Sequence, residues 1–332
     1  MGTNYLLNNI TRKLPQAAMW VKTVRAYDAQ NRRTRMAGPR TVHIQTTDRC
    51  NAACIMCPYS TVNNSARGNE MDDKLYRHII DEISRSACTR VLCLMLQNEP
   101  LLDKKLPDRI RLARELLGND IRIMTVTNGA PLTQKVAGEL IAAGIGSVAV
   151  SIDAFHEHTY KMIRQGLNFR HVMENTLSLV ERMGSDRVSV KFLRQRDNEG
   201  EEDEFAHYWR SRGVRVNFIE PTNRAGTLES YERIKKRKPA LWKKLSHPIL
   251  NRIIPVCPLP FTSMNILWNG RAITCSEDWE PRDTVGDITK QSMKEIWNGD
   301  KFNHYRHLLW NHRATESAVC TDCSFSDRYW RI

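Results

Sequence analysis

From Thr41 to Ile219 the sequence alternates between short apolar runs and stretches of helical period, which leaves few folds open to it. Strands are expected over residues 41–46, 90–96, 121–126, 147–152, 187–193 and 214–219. Helices are expected over 71–87, 107–117, 134–143, 171–183 and 201–212. The first helix sets Leu75, Ile79, Ile80 and Ile83 on one face and starts with Asp72 and Asp73, which suit the positive end of its dipole. Gly144, Gly184 and Gly213 follow three of the helices, as residues that end a helix in the left-handed conformation do. Strand and helix in strict alternation predict a parallel sheet of the α/β class. A partial (β/α)6 TIM-like barrel is its natural closure, with chemistry on the loops at the C-terminal strand ends.

The loop after the first strand reads Thr47-Asp48-Arg49-Cys50-Asn51-Ala52-Ala53-Cys54-Ile55-Met56-Cys57-Pro58, a C-x3-C-x2-C spacing. Cysteine thiolates hold iron–sulfur clusters, and a cubane has four irons to ligate. Three cysteines leave the fourth iron to a ligand that is not protein. Zinc in a tetrahedral site would call for a fourth ligand from a second knuckle, and disulfides for an even count. Thiols kept only for packing rarely crowd into eight residues. A second set is Cys257, Cys275, Cys320 and Cys323, with an Asn269-Gly270 hairpin signal between the first pair and C-x2-C at the end. Four such ligands suit zinc or an iron–sulfur cluster, and spacing alone does not choose.

The Cys50–Cys57 loop resembles the cluster loop of radical S-adenosylmethionine (SAM) enzymes. The resemblance implies that the open iron chelates SAM through its amino and carboxylate groups. SAM is then reduced to methionine and a 5′-deoxyadenosyl radical, with an external one-electron reductant such as flavodoxin or ferredoxin as partner. Met56 stands where the family often places an aromatic against the adenine. Gln97-Asn98-Glu99-Pro100 resembles the family's Gly-Gly-Glu, with Glu99 as acceptor for the SAM ammonium and residues 97 and 98 as backbone contacts. Thr127-Asn128 and Ser151-Ile152-Asp153 resemble segments lining the SAM site, and Arg164 an arginine positioned for the SAM carboxylate. The C-x12-G-x4-C and C-x2-C layout, with Ile296-Trp297-Asn298-Gly299 between, resembles the SPASM extension in its shortened twitch form. The implied cofactors are SAM and two 4Fe–4S clusters, one SAM-binding and one auxiliary and fully ligated.

The chain of 332 residues divides, on this reading, into a basic appendage (1–40), a core barrel (41–225), a basic linker (226–256) and a small C-terminal β-hairpin and helix iron–sulfur domain (257–332). Pro15 is expected to open a helix through Trp20, Val24 and Tyr27. The net charge of +13 is concentrated: residues 1–40 carry eight Lys or Arg against one acid, and 231–244 seven against one. Such runs attract anionic substrates, peptides or lipid surfaces when they are more than solvated faces. Neither is interleaved with a nucleic-acid reading motif. No apolar run is long enough to span a bilayer and no signal-peptide pattern appears, so nine cysteines point to a reducing, cytoplasmic setting.

The expected activity is hydrogen-atom abstraction from a small polar molecule of sugar, cyclitol or nucleoside type, followed by oxidation through the auxiliary cluster. The cysteine layout looks similar to twitch-type dehydrogenases of aminocyclitol antibiotic biosynthesis. A maturase modifying or epimerising peptide side chains, a sugar-acid decarboxylase or epimerase, and a non-catalytic zinc module are the alternatives. Arg194, Glu220, Asn223 and Arg224 are expected near substrate by position, His156 near the barrel mouth, and Cys93 as a buried thiol or hydrogen-atom donor.

Overall fold

The computed structural model describes residues 27–28, 33–34, 37–62, 68–236 and 257–324. Most of the expected N-terminal helix from Pro15 and most of both basic runs lie outside them, and Tyr27, expected in that helix, is in a strand instead because its backbone pairs with Thr34. A short antiparallel pair, β1 (Tyr27–Asp28) with β2 (Arg33–Thr34), precedes the main sheet. The main sheet has nine strands, of which β3 (Thr41–Ile44), β4 (Val91–Cys93), β5 (Arg122–Thr127), β6 (Ser147–Ser151), β7 (Val188–Leu193) and β8 (Arg215–Ile219) are parallel and in chain order.

The connections carry α1 (Asp73–Ser84), α2 (Leu106–Leu117), α3 (Gln134–Ala142), α4 (Glu157–Ile163), α5 (Phe169–Met183) and α6 (Glu202–Arg210). Strand alternation decides which way each side chain goes. Val42, Ile44, Leu92, Ile123, Val148, Val150, Val190 and Phe192 are buried under the helices. Residues of the opposite parity line the lumen, and several are polar. The Asp72 carboxylate caps α1 through the amides of Lys74 and Leu75, and Gly144, Gly184 and Gly213 all take positive φ after their helices.

Two elements exceed the sequence reading. The helix α4 was not expected, because its seven residues hold too few apolar positions to show a period. The C-terminal hairpin does not stand apart from the barrel. Its strand β9 (Ser263–Ile266) pairs in parallel with β3, Thr41 opposite Ser263 through Ile44 opposite Ile266, and β10 (Arg271–Ile273) and β11 (Thr284–Asp287) continue the sheet antiparallel. Short helices α7 (Tyr231–Ile234) and α8 (Leu259–Thr262) flank the undescribed part of the linker, and α9 (Met293–Asn298) and α10 (Asp300–Trp310) cover the hairpin. Arg306 is fully buried there, donating to the carbonyl of Pro260 at 2.9 Å and stacked on Trp297 at 4.2 Å. Among the described residues no helix is long and apolar enough to cross a membrane.

Candidate active site: two cysteine sets at one barrel mouth

The loop carrying Cys50, Cys54 and Cys57 is held from both sides. At its start, the Asp48 carboxylate accepts from the amides of Gly68 and Asn69 at 2.8 and 2.9 Å. In its middle, Ala53 N donates to Gln165 O and Ile55 N to Ile163 O, which pins it to the end of α4. Gly166 permits that approach: at φ +86, an added Cβ would sit 3.4 Å from Asn51 O. The Tyr59 hydroxyl accepts from Cys50 N at 2.6 Å.

All three thiols are free, and burial pushes Cys50 up to about 12 and Cys57 upward as well. The neighbouring cysteines and Glu99 add to the rise at Cys50. Thiolates at this loop therefore need a positive ligand, which fits metal loading with release of protons.

Glu99 ends the turn after β4 and is 2% exposed. Thr127 Oγ1 and Asn128 N each donate to its carboxylate at 2.7 Å, and Leu101 N at 3.1 Å. Burial nevertheless raises its pKa to about 7, against those donors. Asn128 Nδ2 donates to Asn51 Oδ1 at 2.8 Å, joining the β5 tip to the cysteine loop. Asp153, at φ 65, accepts from Leu193 N at 2.6 Å through Oδ1 and pairs with Arg164 through Oδ2. Arg164 also donates to Cys54 Sγ at 3.5 Å, while its Nε and the Asn98 Nδ2 are buried with no hydrogen-bond partner among the described residues. Burial works against the Arg164 charge, and Asp153 with Cys54 more than offsets it. Unpaired buried donors beside a buried carboxylate suit a zwitterionic ligand such as SAM.

The structure distributes the other expected contacts differently. Gln97 Nε2 donates to the carbonyls of Ser276 and Asp278, tying β4 to the C-terminal hairpin. The side chain of Asn98 turns back to accept from Leu96 N. Met56 is buried and Ser151 is partly exposed at the end of β6. His156 lies on the surface with Glu204, at 3.4 Å. Arg194 stacks on Phe218 at 4.2 Å and reaches Glu220 at 3.5 Å. Cys93 is buried, with its pKa raised to about 11 by burial.

Cys257, Cys275, Cys320 and Cys323 line one cavity, of about 360 Å³ of empty space including its opening, together with Ala225, Leu309 and Val319. Burial raises the pKa of Cys257, Cys275 and Cys320. Among the described residues no three His, Cys, Asp or Glu are gathered round the position of a single ion. A donor set made only of thiols around a cavity fits an iron–sulfur cluster.

Residues not singled out as site residues join the two sets. Arg224, placed near substrate by position alone, has its half-buried guanidinium between them: Nη1 lies 3.0 Å from Glu277 Oε1. Burial opposes its charge, but Glu277 and the thiols of both Cys57 and Cys275 hold it protonated. Glu277 N donates to Cys275 Sγ at 3.3 Å, and Thr222 donates to the Glu277 carboxylate. Arg224 and Ala225 both take left-handed φ, 51 and 52, which non-glycine residues adopt at a cost. Asn223 clips onto the last knuckle, donating from N to Ser324 Oγ and accepting from Ser324 N at Oδ1. No motif marks these residues; residues 222–225 have only their position after β8 as a signal, and Glu277 only its place two residues past Cys275.

Comparison with known proteins agrees with this geometry. Residues 44–193 match the radical SAM superfamily model, and residues 257–324 match the SPASM iron–sulfur cluster-binding domain. The chain is 22% identical over 283 residues to the S-adenosyl-L-methionine-dependent 2-deoxy-scyllo-inosamine dehydrogenase of Niallia circulans, covering 85% of this chain and 92% of that one. It is 25% identical over 195 residues to a GTP 3′,8-cyclase of Lactiplantibacillus plantarum, covering 58% and 57%. Among solved structures, BtrN in complex with AdoMet and 2-DOIA superposes with a TM-score of 0.59 at 20% identity, over 86% of this chain and 92% of that one. Streptococcus suis SuiB bound to precursor peptide SuiA gives 0.67 at 12% identity, over 95% and 74%. The chain is a member of the radical SAM superfamily with a C-terminal SPASM iron–sulfur domain.

Proposed function

We propose that this protein is a dehydrogenase that abstracts a hydrogen atom from a small hydroxylated molecule in the barrel lumen and leaves it oxidised. When bound, SAM and the two clusters supply a 5′-deoxyadenosyl radical at the first cysteine set and a one-electron acceptor at the second. Cys50, Cys54 and Cys57 hold the first cluster with one iron left for SAM. Cys257, Cys275, Cys320 and Cys323 ligate the second completely, which suits electron transfer rather than substrate binding.

Glu99 accepts from the SAM ammonium, and Thr127 and Asn128 hold its carboxylate in place. Arg164 meets the SAM carboxylate, with Asp153 fixing the guanidinium. Met56 would pack on the adenine, Ser151 would reach the ribose, and the backbone at Gln97 and Asn98 would border the methionine end. The name of the Niallia circulans relative, a dehydrogenase acting on a secondary-alcohol cyclitol, supports oxidation as the outcome.

One observation carries the reading. The Arg224–Glu277 pair lies between a three-cysteine set and a four-cysteine set, so a substrate oxidised in the lumen has an acceptor site close at hand. Electron paramagnetic resonance of the reduced, anaerobically reconstituted protein tests it. Two signals are expected, of which SAM perturbs one and Cys275→Ala removes the other with about four irons. A single signal, or zinc at the second set, would overturn the reading.

A further inference from the structure

The lumen holds a cation that the site described above does not use. On β7, Val188, Val190 and Phe192 face the helices; the Phe192 ring packs at 4.8 Å on Phe205 of α6 and at 5.7 Å on Phe218. Strand alternation therefore turns Lys191 inward. Its neighbours in register are Ser151 and Asn217, and across the lumen it acts on Cys93 and on His43.

The surrounding charges do not balance. Arg164 is committed to Asp153 and Arg224 to Glu277. The Lys191 ammonium has neither a hydrogen bond nor an ion pair among the described residues, and its side chain is not fully covered. Burial lowers its pKa, Cys93 and Asp153 raise it, and Arg224 and Arg164 lower it again. His43 adds no charge, because burial pushes its pKa down to about 4; Nδ1 lies 3.3 Å from Met95 O, which assigns the proton to Nδ1. An ammonium left without a partner inside a protein calls for an anion to complete it.

We propose that the barrel lumen binds a substrate carrying an anionic group, a carboxylate or a phosphate, and that the Lys191 ammonium pairs with that group. This rests on the reading of the lumen as the substrate chamber. It separates this protein from a bare aminocyclitol, whose ammonium would meet Lys191 with like charge.

Calorimetric titration of the reconstituted, SAM-loaded protein tests the proposal, with inorganic phosphate and D-glucuronate as oxyanion probes and scyllo-inosamine as the cationic comparator. One oxyanion is expected to bind per chain. Its affinity should fall at least about tenfold in Lys191→Met and stay within about threefold in Lys191→Arg. Lys191→Gln replaces the Met variant if that variant fails to take up iron. Binding of phosphate alone assigns a phosphate ester, and of glucuronate alone a carboxylate. The proposal is overturned if neither probe binds at about 10 mM, if both bind Lys191→Met as well as the parent, if the loss appears in SAM affinity instead, or if scyllo-inosamine binds more tightly than either oxyanion. Formation of 5′-deoxyadenosine by the parent protein without any probe is recorded alongside. If it forms while no oxyanion binds, this inference fails and the radical SAM reading stands.

Discussion

Asp153→Asn isolates one charge at the centre of the site. Asp153 is 2% exposed and Arg164 12%, so solvent does little to screen the pair. Asparagine matches the shape of aspartate and tolerates the left-handed φ of 65 at this position, so the backbone has little reason to move. The substitution leaves a buried guanidinium without its counter-charge, which costs about 3–5 kcal/mol. At 3 kcal/mol the unfolding midpoint of the metal-free chain should drop by roughly 4 °C, since about 2.1 cal/mol/K per residue over 332 residues gives about 0.7 kcal/mol/K. Arg164→Met in the same chain removes the stranded charge, and the double variant should regain at least about 1.5 kcal/mol over the sum of the single changes. Circular dichroism melts of the four proteins at one scan rate measure the cycle. A single variant that melts within about 2 °C of the parent, or a cycle with no coupling, would refute the view that Asp153 holds Arg164 by charge.

Three further outcomes follow from the geometry. Because burial raises Glu99 to about 7, the carboxylate proposed to accept the SAM ammonium is lost as pH falls; SAM affinity should drop about tenfold from pH 8 to pH 6, and Glu99→Gln should bind weakly with a flat profile. Gly166→Ala places a Cβ against the backbone of Asn51 at positive φ, costing about 1–2 kcal/mol; iron assay after reconstitution should show partial loss confined to the SAM-perturbed signal. Chelating the metal should lower the unfolding midpoint markedly and restore titratable buried thiols, measured by thiol reagent under denaturing and native conditions; an unchanged melt would show that the cysteine sites fold without metal.

Much of the barrel could be read from the chain because its signals are local. Leu75, Ile79, Ile80 and Ile83 announce α1, and Gly144, Gly184 and Gly213 mark helix ends that the structure keeps. The Cys50–Cys57 and Cys320–Cys323 spacings likewise sit within a few residues, whereas Cys257 and Cys275 join that last pair only through the fold. What stayed hidden depends on partners far away in sequence. Nothing in Ser263–Ile266 says that it pairs with Thr41–Ile44, since that register is set only once the barrel is closed. Thr284–Asp287 has one apolar residue and is a strand only because Arg271–Ile273 lies beside it. The α4 helix is short, yet it delivers Arg164 and pins the cysteine loop. Lys191 looks like a surface residue in a list of strand residues; its meaning comes from the parity of Val190 and Phe192. Gln97 and Arg224 are legible as strand-end polar residues, but their ties to Ser276, Asp278 and Glu277 reach into the C-terminal cysteine domain.

The central claim is that Cys50, Cys54 and Cys57 hold a cluster that delivers an electron to SAM. The direct measurement is anaerobic reconstitution followed by incubation with SAM and a strong reductant, with 5′-deoxyadenosine as the readout. The account predicts steady formation by the parent chain and none by Cys54→Ala. A parent chain with about eight irons that makes no 5′-deoxyadenosine, with or without hydroxylated acids present, would contradict it.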